Sequence, residues 1–168
     1  MLEYRLTPVE LYFLGVLLEA EYIDYQYVSA LPEIHNNYRV IEQKTLERLE
    51  EKNILEQDFD GTITVYETVQ NVLNPIFFGL IECRVRTTWS EGNLHVFNED
   101  MTFVSKEHDF YLLEKMDDEN LKELIVDQEL ELQAMHIEKG YHNESFSEEE
   151  MGQTDSIEKA ISIMKGDW

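Results

Sequence analysis

The sequence predicts an α+β fold in which a helical N-terminal unit ending in a hairpin precedes an antiparallel β-meander with a covering helix and an acidic C-terminal tail. Three observations lead there. Helical periodicity dominates the first fifty residues; an Asp60-Gly61 pair then separates two β-prone runs; and from Phe78 onward the chain turns β-rich, with one alternating segment and three further short ones divided by polar turns. The boundaries that follow are 5–75 for the helical unit, 76–139 for the sheet with its helix, and 140–168 for the tail. The chain has 168 residues, of which 43% are hydrophobic, so a core can form despite a formal net charge of −23.

The first helix is announced by Thr7-Pro8-Val9-Glu10, a capping box in which hydroxyl and carboxylate each take the other residue's backbone N–H. Pro8 occupies the first helical position, where its missing donor costs nothing. Leu11, Leu14, Leu17 and Leu18 follow at helical spacing. A shorter helix is expected around Tyr25–Leu31, ahead of Pro32. Arg39 to Lys52 carries Ile41, Thr45, Leu46 and Leu49 on one face, and Asn53 stands where a left-handed residue ends a helix. Ile54–Phe59 and Thr62–Tyr66 then flank the Asp-Gly turn. Three helices followed by a hairpin is the order of a winged helix, expected here for residues 5–70.

A short helix is expected over Glu67–Pro75, stopping at the proline. In Phe78–Thr88, Ile81, Cys83 and Val85 alternate with Glu82, Arg84 and Arg86. Leu94–Phe97, Met101–Ser105 and Phe110–Glu114 complete a meander, with turns at Asn98-Glu99-Asp100 and Glu107-His108-Asp109. Its cover is Asp117–Asp127, where Leu121, Leu124 and Ile125 form a stripe behind an acidic first turn. The pattern over Gln128–Lys139 fits helix and strand equally. Gly140–Gln153 is polar and acidic and reads as a mobile linker. A final amphipathic helix places Ile157, Ala160, Ile161 and Met164 on one face, and it either docks on the body or awaits a partner. From residue 107 onward there are 18 acidic residues against five lysines, so charge is densest toward the C-terminus.

The charge and composition narrow the function. Binding nucleic acid or anionic lipid relies on Lys and Arg, and this chain has 13 of them against 36 Asp and Glu. The third helix offers Arg39, Lys44, Arg48 and Lys52 against Glu42, Glu47, Glu50 and Glu51, so no positive face emerges. Nucleic acid and membrane are therefore not the expected partners. A single cysteine, with no secretory leader pattern at the N-terminus, fits the cytoplasm. Cys83 lies on the apolar side of its strand and reads as a buried hydrophobe. The histidines, His35, His95, His108, His136 and His142, match no zinc spacing, and no phosphate-cradling glycine loop or calcium loop is present. Nothing points to a catalytic site, a metal or a cofactor.

Leu6-Thr7-Pro8-Val9-Glu10-Leu11-Tyr12-Phe13-Leu14-Gly15, together with the paired segments Leu94–Asp100 and Phe110–Glu114, resembles the EspG-like and EsaE-like accessory chaperones of type VII (ESX) secretion loci. The resemblance spans residues 5–125 and implies a cytosolic, non-catalytic protein that binds a secreted helical partner. The chain is long enough for about one of the two halves of the EspG fold, and a homodimer would restore the other. A different reading is an acidic immunity protein that neutralises a basic toxin such as a nuclease. A third is a winged-helix transcription regulator. The candidate partner contacts are Trp89, Phe97, Ile157, Ile161 and Met164.

Overall fold

The computed structural model describes residues 2–20, 36–79, 81–87, 91–125, 135–139, 142–151 and 154–165. Its centre is a seven-stranded antiparallel sheet of order β1-β7-β6-β5-β4-β8-β9. The strands are β1 (Glu3–Leu6), β4 (Ile81–Thr87), β5 (Glu91–Phe97), β6 (Asp100–Glu107), β7 (Phe110–Met116), β8 (Met135–Lys139) and β9 (His142–Phe146). A separate hairpin pairs β2 (Leu55–Gln57) with β3 (Ile63–Val65). The helices are α1 (Pro8–Leu17), α2 (Tyr38–Glu51), α3 (Glu67–Phe78), α4 (Asp118–Ile125), α5 (Glu148–Met151) and α6 (Thr154–Lys165). The chain is α+β with an antiparallel sheet, as the sequence predicts.

The local signals work as read. Glu10 N–H donates to Thr7 Oγ1 at 3.2 Å and Thr7 N–H donates to Glu10 Oε1 at 3.0 Å, closing the capping box. Asn53 takes φ +60° after α2, and Gly61 takes φ +84° in the hairpin turn, a conformation that an L side chain resists. That turn is closed by Gly61 N–H to the Asp58 carbonyl and Thr62 N–H to Asp60 Oδ1, both at 3.0 Å. The second helix of the winged-helix order, expected around 25–31, lies outside the described residues; α1, α2 and the hairpin follow one another in the expected order.

The sheet separates two cores because successive residues of each strand face opposite sides. Val104, Tyr111 and Leu113 join Leu6, Leu11, Leu14, Leu49, Val72 and Leu73 on the side of α1–α3. Met101, Phe103, Met116, Cys83, Val85 and Leu94 join Leu121, Ala160, Ile161, Ile163 and Met164 on the side of α4 and α6. The two layers are tied at named points. Thr102, fully buried, donates from Oγ1 to the Val72 carbonyl at 2.7 Å, fixing α3 to β6. Lys52 Nζ reaches both carboxylate oxygens of Glu10 at 2.9 Å and the Arg5 carbonyl at 3.1 Å, joining the end of α2 to α1 and β1.

Several expectations are corrected. The helix expected to stop at Pro75 runs through it to Phe78; burial of Val69, Val72, Leu73, Pro75 and Phe77 outweighs the hydrogen bond a proline forgoes. The stretch 140–153, read as linker, contributes β9, whose pairing with β8 from Met135↔Phe146 to Lys139↔His142 adds the outermost strand, and then one turn of helix. Residues 135–139 are strand, while 128–134 lie outside the described part. Residues 3–6, ahead of the first helix, pair with β7 and so belong to the main sheet. Among the described residues no helix is long and apolar enough to cross a membrane.

One edge of the sheet carries mismatched charge. Glu114, half-buried on β7, pairs across from Glu3, and burial raises its carboxyl above the ordinary range, helped by Glu3 and Glu107 and opposed by Arg5. The folded state therefore holds this proton more tightly than the unfolded one. Its contribution to stability falls as pH rises from the ordinary carboxylate range into the raised one. Replacing Glu114 by glutamine is expected to stabilise the protein at neutral pH by less than about 1 kcal/mol, given its partial exposure. The gain shrinks on acidification, which thermal unfolding from pH 7.5 down to pH 5 would show.

Candidate functional site

A cleft of about 680 Å³ opens where the C-terminus of α6 meets the N-terminus of α4, beside the β5–β6 turn and the end of β7. Met101, Met116 and Val96 form its floor. The register Met101↔Met116 places the two methionines side by side on neighbouring strands. Glu99, Asp100, Asp117, Asp118 and Glu119 surround them, against Lys115 and Lys165 among the described lining residues.

Each rim group is placed by local structure. The two-residue turn at Asn98-Glu99, with Asn98 at φ +55°, lifts Glu99 and Asp100 at one side. Asp117 caps α4, its Oδ1 accepting from Asn120 N–H at 2.7 Å. Asp118 and Glu119 then occupy the first helical turn, where the exposed N–H groups favour negative charge. Lys165 Nζ lies 3.0 Å from Asp118, and Lys115 Nζ lies 4.0 Å from Asp100. The two lysines thus meet Asp118 and Asp100 at the rim, while Glu99 and Glu119 are exposed.

An apolar floor inside a carboxylate rim suits a segment that brings an apolar side chain together with lysine or arginine. Methionine adapts its shape to such side chains better than branched residues do. Water would be displaced from the floor as the cations approach the rim. Among the described residues, no three His, Cys, Asp or Glu side chains converge to hold a metal ion.

The expected contact residues are distributed otherwise. Trp89 lies outside the described residues. Phe97 is partly buried and packs its ring 6.2 Å from that of Phe78 on α3. Ile161 and Met164, two of the candidate partner contacts, are buried at 7% and 0% exposure in the second core, so of the two alternatives for the tail helix it docks on the body. The amphipathic stripe is consumed in docking α6 to the sheet, because Cys83, Val85, Leu94 and Phe103 present the apolar surface it needs. Ile157 lies on the same helix; its side chain is outside the described part. Cys83 is fully buried, in keeping with its reading as a core residue. The cleft itself had only local signatures in the sequence, a turn at 98–100 and an acidic helix start at 117–119. Their convergence depends on strand register. No protein-family model matches the chain, and a search of the curated proteins finds no match.

Proposed function

We propose that this chain is a cytosolic, non-catalytic adaptor that binds a secreted partner protein of a type VII secretion locus and seats a basic, partly apolar segment of it in the α4–α6 cleft. The observation that carries the reading is the combination of a methionine floor with five carboxylates in one cleft of about 680 Å³. A net charge of −23 supports it, since a strongly acidic protein attracts a basic partner and keeps the complex soluble. The apolar floor favours an adaptor over an immunity protein acting through charge, because charge complementarity alone needs no methionines beneath it.

Affinity capture of the tagged protein from its own cytoplasm at low and moderate salt tests this. Under the adaptor reading a helical, secreted protein is retained at both salt concentrations, since burial of apolar surface is not screened. Capture of a basic toxin domain that is lost as salt rises would replace this reading with the immunity one.

A further inference from the structure

We propose that a second, compact cavity on the opposite side of the sheet binds a small organic carboxylate. It has a volume of about 270 Å³ and is lined by strand residues, among them Arg84, Glu91, Asn93, Val104, Lys106 and Tyr111. Register explains why these meet. Arg84 pairs across from Asn93, Asn93 from Val104, and Lys106 from Tyr111, so four adjacent strands deliver their side chains to one face. This is the face that α3 covers farther along the sheet, where Thr102 bonds to the Val72 carbonyl.

The floor and rim have different chemistry. Asn93 and Tyr111 are each 8% exposed and set polar groups beside the apolar Val104. Arg84 and Lys106 are exposed and stand at the rim. The guanidinium fork matches the two oxygens of a carboxylate, and the ammonium adds a point charge. Arg86 shares this face through its pairing with Glu91, so three of the chain's 13 cations gather here, in a protein of net charge −23. Among the described lining residues Glu91 opposes Arg84 and Lys106, which leaves one net positive charge at the cavity. That balance admits one negative charge and disfavours a phosphate dianion, which the field of the whole protein repels twice over. The apolar Val104 and the Tyr111 ring favour a carboxylate with a short hydrophobic body.

Backbone amide NMR during titration with sodium benzoate, at a constant ionic strength of about 0.15 M, tests the site, with neutral benzamide as the matched control. Benzoate is expected to give saturable shifts around residues 91–93 and 104–106, and benzamide none. Arg84→Gln and Lys106→Gln are each expected to weaken benzoate by about tenfold. Both residues are exposed, so both variants keep the fold. Glu91→Gln, which removes the repelling carboxylate, is expected to tighten binding several-fold, a sign that a purely structural role would not produce. Equal binding of benzamide, undiminished affinity in both cation variants, or no saturable shift up to the solubility of the salt would each overturn the proposal. It does not depend on what occupies the α4–α6 cleft.

Discussion

Replacing Lys52 by methionine is expected to lower the unfolding free energy by about 3 kcal/mol, more than replacing its partner Glu10 by glutamine. The asymmetry follows from burial. The Glu10 side chain is 1% exposed, whereas that of Lys52 is 42% exposed. Removing the lysine leaves a desolvated carboxylate whose other hydrogen-bond partner is the Thr7 amide, and an uncompensated buried charge is the costly outcome. Removing the carboxylate charge leaves an ammonium that reaches water, and the glutamine oxygen still serves the cap. Lys52 also holds the Arg5 carbonyl at the end of β1, so its loss loosens three elements together. In a domain of this size about 3 kcal/mol corresponds to a fall of about 6–12 °C in Tm. Thermal unfolding of the two variants side by side checks the order; a Glu10→Gln variant less stable than Lys52→Met would show that the unpaired buried carboxylate is not the costly outcome.

Placing aspartate at Met164 is expected to have the larger structural effect. The side chain is fully buried in the core between the sheet and α6. A carboxylate there has no cation among the described core residues, and burying it unpaired costs several kcal/mol. The cheaper outcome is undocking of α6, which uncovers Cys83, Val85, Leu94 and Phe103. Cys83, the single cysteine and 0% exposed, is a built-in reporter. In Met164→Asp it should react with a thiol reagent within minutes while the protein retains most of its far-ultraviolet circular dichroism. The native protein should stay protected. Continued protection in the variant would mean that α6 does not seal this core.

The distance over which each feature is determined decides what could be read from the sequence. The Thr7–Glu10 box, the left-handed Asn53 and the Asp60-Gly61 turn depend on residues within a turn of one another, and each is formed as read. The segments Leu94–Phe97, Met101–Ser105 and Phe110–Glu114 are short apolar runs separated by polar two-residue turns, so the meander is legible too, although β5 and β6 bury four successive residues and do not alternate. Strand β9 is not legible, because His142-Asn143-Glu144-Ser145-Phe146 has little apolar alternation; it is a strand through pairing with β8. The attachment of β1 to β7 joins Tyr4 to Leu113 and has no local signature. The amphipathic face of α6 was legible, but its destination was not: an apolar stripe reads the same whether it meets a sheet of its own chain or a partner. The same limit applied to the cleft. In the sequence its acids belong to a turn and a helix start, and the register of β6 against β7 brings Met101 and Met116 beneath them.

The measurement that tests the account most directly is the equilibrium affinity of the captured partner for the native protein and for a Glu99→Lys, Glu119→Lys double variant, at about 0.15 M salt. Both residues are exposed at the cleft rim, so the fold should survive their replacement. If the cleft is the docking site, reversing two charges there weakens binding at least about tenfold, chiefly through repulsion of the partner's basic segment. An affinity within about twofold of the native value, a difference of less than half a kcal/mol, would place the partner elsewhere on the surface and contradict the central claim.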